Sequence, residues 1–325
     1  MIPMRCPTLS ELPPPPPGKT GWPWTEESPQ LPDTMPDGRP WPRVSIVTPS
    51  YNQGQFIEET IRSVLLQGYP DLEYIIIDGG STDGSVDIIR KYEKWLAYWV
   101  SEPDRGQSHA INKGILQATG DILFWLNSDD MCLPGAFHAA VIAFEHPSKP
   151  LLVTGQALVI DEAGNECGKL ISRFTSWEDY ATRQQGVVRQ AATFFKREIL
   201  LEVGLLNESL HYSMDRDLFL RLTRKYHPHI IETYLAAFRR HGAGKFNSSK
   251  VHGYREADRV TYKYLASTPW LDSYREWSAL HWLALAKSPS MSLWQRIQCL
   301  YYAIRQLPTL FFRRAFWRKV LKKIS

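Results

Sequence analysis

The pattern of hydrophobic and polar residues between positions 44 and 146 alternates between two periods. Short, continuous apolar runs predict buried strands, at 44–50, 72–78, 97–102 and 121–126. Between them, apolar residues recur every three or four positions and predict amphipathic helices, at 55–67, 86–96, 108–118 and from Pro134 onward. Strands that are apolar throughout and alternate with helices predict an α/β fold, a Rossmann-like, mostly parallel sheet flanked by helices on both faces.

The chain before this region is rich in proline. Residues 1–42 contain the run Pro13–Pro17 and further prolines at short intervals. Proline lacks an N–H group and restricts its own backbone, so we expect an extended tail there rather than helix or sheet. A proline-rich ligand for a signalling domain is the alternative interpretation.

After position 150 the periodic pattern is weaker. It predicts strands at 151–161 and 189–195 and a helix at 215–226, and beyond about 250 the chain is predicted to be helical. The expected organisation has three parts, which are an N-terminal tail at 1–42, an α/β domain at 43–245 and a C-terminal helical extension at 246–325.

Composition narrows the function classes only a little. The chain has 325 residues, of which 43% are hydrophobic and 22% charged, which is enough to bury a sizeable core. A net charge of +4 is small for this length, so the sequence does not indicate a nucleic-acid-binding protein. The 12 Trp, 15 Tyr and 13 Phe residues fit either a core or platforms for sugars and bases.

The four cysteines are scattered and have no metal-ligand spacing. We therefore expect buried free thiols in a reducing, cytoplasmic protein. Prolines replace the apolar part of a signal peptide at the N-terminus, and no apolar stretch approaches the length that spans a bilayer.

Polar side chains follow each of the first four predicted strands. Carboxyl ends of parallel strands meet at one edge of a sheet, where ligands bind. The sequence therefore predicts one polar rim. Its members are Ser50, Tyr51 and Asn52 after the first strand, Asp78 after the second, Glu102 and Asp104 after the third, and Asn127, Ser128, Asp129 and Asp130 after the fourth.

Asp129 and Asp130 are neighbouring like charges that repel unless a cation lies near them. Hard divalent cations prefer oxygen ligands and retain water and phosphate oxygens. The pair therefore indicates a site for Mg²⁺ or Mn²⁺ holding a diphosphate. Alternatively, one carboxylate caps the helix near Pro134 and the other is solvated.

Asp78 precedes the glycine-rich stretch GGSTDGS at 79–85. Its carboxylate could accept hydrogen bonds from a base or a ribose, although this position taken alone favours a simple turn acid. The stretch matches neither the P-loop nor the dinucleotide-binding glycine pattern, so ATP hydrolysis and NAD binding lose support.

Two further places carry candidate chemistry. Asp215 and Asp217 begin a predicted helix, where one acid would suffice as a cap and the other could act as a general base. His241 lies among Arg239, Arg240 and Lys245 in a glycine-containing stretch that could bind an anion or remain a solvated loop.

These segments together resemble the family-2 glycosyltransferases of the GT-A fold. The resemblance rests on VSIVTPSYNQGQFIEETIRSVLLQGYPDLEYIIIDGGSTDGSVDII, EPDRGQSHAINKGILQATGDILFWLNSDD and ATFFKREILLEVGLLNESLHYSMDRDLFLRL, and it covers about 43–245. It implies a transferase that moves a sugar, with inversion, from a nucleotide-diphosphate donor (UDP, GDP or dTDP) to an acceptor hydroxyl in surface polysaccharide or other glycan synthesis. A catalytically inactive nucleotide-sugar or carbohydrate-binding protein of the same fold is the alternative.

The resemblance also implies roles for individual residues. Asp215 takes the position of the catalytic base, preceded by Met214 where an acid is common. NSDD takes the place of the metal-binding acidic motif, with Asn127 instead of its first acid. Asp129, Asp130 and His241 are the implied metal-side residues. The implied nucleotide-sugar contacts are Pro49, Ser50, Tyr51, Asn52, Asp78, Asp104, Gln107, Lys113, Asn127, Ser128 and Asp129.

The end of the sequence mixes aromatic and basic residues. Phe311, Phe312, Phe316 and Trp317 alternate with arginine and lysine, which is typical of an interfacial helix at the inner face of a membrane. A lipid-linked glycan acceptor would make such docking useful. A helix packed against the rest of the protein is the alternative.

Overall fold

The computed structural model describes residues 5–183, 187–242, 244, 250–289 and 291–308. These form two compact units. The first contains the chain up to Arg173 together with Val187–Gly242, and the second contains Phe174–Gly186 and the chain from Ala243 onward.

The first unit contains one nine-stranded sheet with helices packed against it. Its strands are β1 (Val44–Ser50), β2 (Leu72–Asp78), β3 (Tyr98–Ser101), β4 (Ile122–Trp125), β5 (Met131–Cys132), β6 (Leu152–Ile160), β7 (Glu166–Leu170), β8 (Thr193–Lys196) and β9 (His229–Arg239). Its helices are α1 (Ile57–Leu65), α2 (Ser85–Lys91), α3 (Gln107–Gln117), α4 (Ala136–Phe144), α6 (Arg197–Val203) and α7 (Met214–Lys225). The strand order is β3-β2-β1-β4-β8-β6-β9-β5, with β7 paired to β6.

The first four strands confirm the parallel arrangement that the sequence predicts. β1 pairs in parallel with β2 and β4, and β2 pairs in parallel with β3. Later strands are mostly antiparallel to their neighbours, so the complete sheet is mixed rather than mostly parallel. Short connections, such as the turn between β6 and β7, permit only antiparallel pairing, whereas a parallel partner needs a long crossover.

The sheet has its switch point between β1 and β4. The chain passes from β1 to β2 on one side and returns from β3 to β4 on the other. β4 pairs with β1 only as far as Val47, so the last residues of β1 extend beyond their neighbour on that side. A crevice at the carboxyl ends of such strands is where ligands bind in open α/β sheets.

The proline-rich N-terminal segment contributes to the core of the first unit. Its buried apolar side chains include Cys6, Leu12, Met35 and Trp41. It contains one short 3₁₀ helix, Leu9–Glu11, and otherwise follows the surface of the unit through irregular backbone. This segment, which the sequence predicts to be an extended tail, has several turns and is packed against the first unit.

The second unit is helical. Its helices are α5 (Trp177–Thr182), α8 (Lys250–Leu265), α9 (Leu271–Ala286) and α10 (Leu293–Gln306). Asp258 lies buried among them and accepts hydrogen bonds from Tyr274 Oη, Ser278 Oγ and Trp282 Nε1. Several donors around one carboxylate satisfy a charge that would otherwise be costly to bury.

No described helix is both long and apolar enough to cross a membrane. Three cysteines are buried free thiols, as expected, whereas Cys167 is exposed. The predicted interfacial segment at 311–319 lies outside the described residues.

His281 in the second unit is held neutral by its surroundings. Its ring stacks on the ring of Trp277 with centroids 4.8 Å apart. The guanidinium carbon of Arg183 lies 5.1 Å from the ring centroid of Trp277. Burial is the main cause that lowers the pKa of His281 to about 4, and the positive charge of Arg183 is the second cause.

A pH dependence of stability follows from this lowered pKa. The unfolded chain binds the proton of His281 near its ordinary pKa of about 6.5, and the folded chain does not. The free energy of unfolding should therefore decline as pH falls from about 6.5 towards 4. His281→Phe keeps the stacked ring and should reduce that decline in urea titrations at several pH values. The exposed His252, changed to Phe, is the control, and an equal decline in wild type and His281→Phe would contradict the assignment.

Candidate active site

The loops after β1 and β2 are held together by side-chain hydrogen bonds. Asn52 has a positive φ of 52°, and its Oδ1 accepts a hydrogen bond from Thr82 N while its own N–H donates to Ser81 Oγ. Asp78 is fully buried and accepts from the backbone N–H groups of Gly80 and Ser81. Ser81 Oγ and Ser101 Oγ also donate to it, at 2.5 and 2.7 Å. Asp78 therefore organises the glycine-rich loop.

Gly79 allows three strand ends to approach closely. A Cβ at this position would lie 2.7 Å from Asp104 Oδ2 and 3.3 Å from the ring of Tyr51. Tyr51 is 62% exposed, so its ring is open to a ligand. The structure thus brings Tyr51, Asp78 and Asp104 together at one edge of the sheet, and we call this group the Tyr51 cluster.

Ser50 ends β1 with a buried hydroxyl that has no hydrogen-bond partner in the described part of the chain. Pro49 precedes it and pairs with Ile77 in the β1–β2 ladder. Buried polar atoms are nearly always satisfied, so an orphan hydroxyl at a strand end indicates that a ligand or water completes it.

The acidic turn at 127–130 follows β4, and its two carboxylates have different partners. Asp130 is 1% exposed and receives hydrogen bonds from the backbone N–H of Arg239, at 2.9 Å, and from Asn127 Nδ2, at 3.2 Å. Burial is the main cause that raises the pKa of Asp130, and the negative charge of Asp129 raises it further. Both oxygens of Asp130 are used within the protein, which makes it a structural member of the turn.

Asp129 instead pairs with His241. The Nε2 atom of His241 lies 3.0 Å from Asp129 Oδ2, and the imidazole ring packs edge-on against Phe56. The backbone of the turn is held from α1, because Thr60 Oγ1 donates to the carbonyls of Ser128 and Asp130. The structure therefore confirms no ligand set, but it places two of the three predicted metal-side residues in contact.

A hydrogen bond connects the start of α3 to the acidic turn. Gln107, at the start of α3, donates from Nε2 to Asn127 Oδ1 over 2.8 Å. Lys113, one turn and a half further along α3, pairs with Glu102 at the end of β3. Asn127, which replaces the first acid of the family pattern, thus serves as a hydrogen-bond hub between neighbouring loops.

Asp215 and Asp217 have separate roles at the start of α7. Asp217 is buried and forms an ion pair with Arg221, whose guanidinium also donates to the carbonyls of the loop after α6. Asp215 is half-buried, and its Oδ1 accepts from Arg216 N at 2.7 Å. Phe219 lies one turn after Asp215, and its ring centroid is 6.4 Å from that of Trp125 in β4. This contact anchors the start of α7 beside the strand that leads into the acidic turn.

Gln190 is not among the predicted site residues, and Arg239 is predicted only as part of a stretch beside His241 that could bind an anion. Gln190 donates to Trp125 O over 2.8 Å and receives a hydrogen bond from Asn127 Nδ2. Arg239 contacts the turn through both its backbone and its guanidinium. Their signal in the sequence is weak, because each acts on backbone atoms that only the folded chain brings within reach. Lys245, expected beside His241, lies outside the described residues.

Comparison with known proteins assigns this arrangement to a family. Residues 45–241 match the model of Glycosyl transferase family 2. An uncharacterised glycosyltransferase of Mycobacterium tuberculosis is 31% identical over 211 residues, which cover 62% of this chain and 77% of that protein. A Bacillus subtilis protein provisionally named teichuronic acid biosynthesis glycosyltransferase TuaG is 44% identical over 92 residues, 27% of this chain and 36% of that one.

The fold has solved counterparts as well. The structure of Staphylococcus aureus TarS residues 1–349 in complex with UDP-GlcNAc superposes with a TM-score of 0.64 at 16% identity, covering 82% of each chain. This likeness confirms the GT-A fold, and the family match spans every predicted site residue of the rim, Asp215 and His241. The chain belongs to glycosyl transferase family 2 and is a glycosyltransferase.

Proposed function

We propose that this enzyme transfers a sugar, with inversion, from a nucleotide-diphosphate donor to an acceptor hydroxyl, and that a divalent cation binds between Asp129 and His241. The observation that carries the proposal is the 3.0 Å contact of His241 Nε2 with Asp129 Oδ2 beside the carboxyl ends of β1 and β4. TarS is solved with UDP-GlcNAc, which supports testing UDP-sugars first.

The two side chains fit Mg²⁺ or Mn²⁺. Neighbouring ligands at about 2.1 Å from an octahedral cation lie roughly 3.0 Å apart, which is the separation seen here. Among the described residues no cluster of three or more His, Cys, Asp or Glu side chains could hold a metal ion. Such cations commonly complete their coordination with phosphate oxygens and water. Asp130 is not included, because its oxygens already accept from Arg239 and Asn127.

The remaining chemistry requires one base. Asp215 takes the proton of the acceptor hydroxyl as that oxygen attacks the anomeric carbon from the face opposite the diphosphate. The bond from the anomeric carbon to the diphosphate breaks, and the nucleoside diphosphate leaves with the electron pair. When bound, the cation neutralises the charge that develops on this leaving group. A single displacement without a covalent sugar intermediate inverts the anomeric centre, as in inverting hydrolases.

The Tyr51 cluster and Ser50 supply the nucleotide contacts in this proposal. Tyr51 offers an exposed aromatic ring for the base, and the orphan hydroxyl of Ser50 can bind the nucleotide. Asp78 shapes the loop that surrounds the base. Gln107 and Asn127 connect these contacts to the acidic turn, so the nucleoside and its diphosphate are held by one continuous set of loops.

The acceptor class is also part of the proposal. The provisional name of TuaG supports an acceptor in polysaccharide synthesis. From Trp277 to Ser325 the sequence has nine lysine and arginine residues and no aspartate or glutamate. On α10, apolar side chains face solvent, with Leu293 67%, Trp294 68% and Tyr301 57% exposed. Exposed aromatic residues among cations are suited to the surface of an anionic bilayer, where a lipid-linked acceptor would lie.

Asp215→Asn should lower turnover at least about a hundredfold, because a positioned base contributes about 10²–10⁴-fold to rate. The measurement is release of nucleoside diphosphate from the donor, with water as the acceptor where no glycan is known. The Asp215→Asn variant should still bind the donor, as measured by thermal shift. Asp217→Asn is the matched control, which should lower the free energy of unfolding by about 2 kcal/mol and retain turnover. Equal turnover in wild type and Asp215→Asn would refute the assigned base.

Metal and donor binding can be measured without an acceptor. A panel of UDP-, GDP- and dTDP-sugars with Mn²⁺ should contain one that raises the melting temperature, since ligands specific for the folded state stabilise it. Asp129→Asn and His241→Ala should each weaken Mn²⁺ binding at least about tenfold in spin-resonance titrations, because each removes one ligand. Asp121→Asn, an exposed acid at the opposite end of β4, is the control. Unchanged Mn²⁺ affinity in both site variants would exclude the proposed ligands.

Membrane contact predicts co-sedimentation with vesicles that contain phosphatidylglycerol but not with pure phosphatidylcholine vesicles. Added salt should weaken the binding, because it screens the attraction between cations and lipid headgroups. Trp294→Gln with Tyr301→Ser should weaken it severalfold. Leu201→Gln, which removes an exposed leucine of the first unit, is the control. Absence of binding to both vesicle types would argue against a lipid surface.

A further inference from the structure

The N-terminal strap, residues 5–42, reaches the acidic turn although it precedes the family match at 45–241. Trp22 donates from Nε1 to the carbonyl of Cys132, two residues after Asp130, over 2.8 Å. Its ring also packs beside the cluster of Met131, Ile160 and Ala237. The strap therefore touches the chain immediately after the proposed cation-binding turn.

Arg62 of α1 fixes this part of the strap. Its side chain is completely buried, and its guanidinium donates to the carbonyls of Pro13, Pro23 and Trp24 at 2.8–3.1 Å. The guanidinium carbon also lies 5.5 Å from the ring centroid of Trp24. A buried cation needs these acceptors, and detaching the strap would remove three of them and leave the hydrogen bond from Arg62 to Tyr92 Oη. Arg62 thus fixes the strap backbone around Trp22 and Trp24.

Trp24 continues the connection through a carboxylate. Its Nε1 donates to Glu59 Oε1 over 3.3 Å, and the other oxygen of Glu59 forms an ion pair with Arg239. The side chain of Arg239 is 2% exposed and that of Glu59 is 12% exposed. Charge-assisted hydrogen bonds that are shielded from water are stronger than exposed ones, so this pair restrains both side chains.

Arg239 then holds the acidic turn itself. Its Nε donates to the carbonyl of Asp129 over 3.0 Å, and its backbone N–H donates to Asp130 Oδ1 over 2.9 Å. A buried guanidinium beside two carboxylates would attract both of them. Glu59 forms an ion pair with Arg239, and the Asp129 carboxylate pairs with His241 instead.

We propose that Trp24, Glu59 and Arg239 form a positioning chain through which the N-terminal strap sets the acidic turn for cation binding. These residues act through the turn and do not themselves contact the substrate. The inference rests on the proposed function only for its consequence on cation affinity. The mechanical part, that the strap restrains the turn, can be measured without metal or donor.

Hydrogen exchange of the full-length protein without metal tests the mechanical part. Glu59→Gln and Trp24→Phe should each speed amide exchange about fivefold in peptides that cover 127–132 and 237–241, because local opening becomes easier. Glu58→Gln is the control for charge on the same helical turn, since Glu58 accepts from Tyr92 Oη. Trp41→Phe is the control for tryptophan, since the indole N–H of Trp41 donates to a carbonyl within the strap, that of Pro32, and not to Glu59.

Mn²⁺ affinity tests the functional part. Glu59→Gln should weaken Mn²⁺ binding at least about fivefold at a temperature well below the melting transition of the variant, whereas a merely structural role would leave affinity constant in the folded protein. Equal exchange in Glu59→Gln and Glu58→Gln, and in Trp24→Phe and Trp41→Phe, would overturn the positioning chain. Faster exchange in the turn, in a protein whose wild type binds no Mn²⁺, would support the chain and reject the proposed cation site instead.

Discussion

The structure depends on keeping two adjacent carboxylates, Asp129 and Asp130, at the end of a buried strand. Their repulsion is resolved by directing them to different partners. Asp130 is buried and accepts from a backbone N–H and an amide, which makes it part of the turn. Asp129 is 24% exposed at its side chain and pairs with His241. Because Asp130 shapes the turn, Asp129 is held at a defined position beside His241.

The topology of the sheet explains why the remaining groups arrive at the same place. β1 and β4 are neighbours in space although two other strands separate them in sequence, and β1 extends beyond β4. Loops that follow parallel strands therefore meet around a crevice rather than along a flat edge. The Gln107–Asn127 hydrogen bond connects the loop after β3 to the loop after β4. Packing of Phe219 against Trp125 holds the start of α7, and with it Asp215, to the same strand.

Much of the first half of the fold could be predicted from the sequence, because its strands are continuous apolar runs and its helices are amphipathic. β1 and β2 have the predicted bounds. The second half was harder, since β6 pairs not only with its hairpin neighbour β7 but also with β8 and β9 from distant parts of the chain, and no local pattern encodes the last two pairings. Residues 189–195 illustrate this: a 3₁₀ turn at Gln190–Ala192 precedes the short strand β8. The acids of the site were visible as strand-end residues. Glu59 was hidden because it belongs to an amphipathic helix whose polar face is ordinarily solvated.

The proline-rich strap shows why composition is a limited guide to role. Proline excludes regular structure but leaves carbonyl groups free to accept hydrogen bonds, and Arg62 uses the carbonyls of Pro13 and Pro23 in this way. A segment that is irregular apart from one short 3₁₀ helix can therefore be fixed to the fold when a buried cation donates hydrogen bonds to its carbonyls. Two indole N–H groups then extend from that fixed backbone towards α1 and the acidic turn. The proposed reacting groups lie within the family match, and a segment that precedes this match contacts the chain next to the acidic turn.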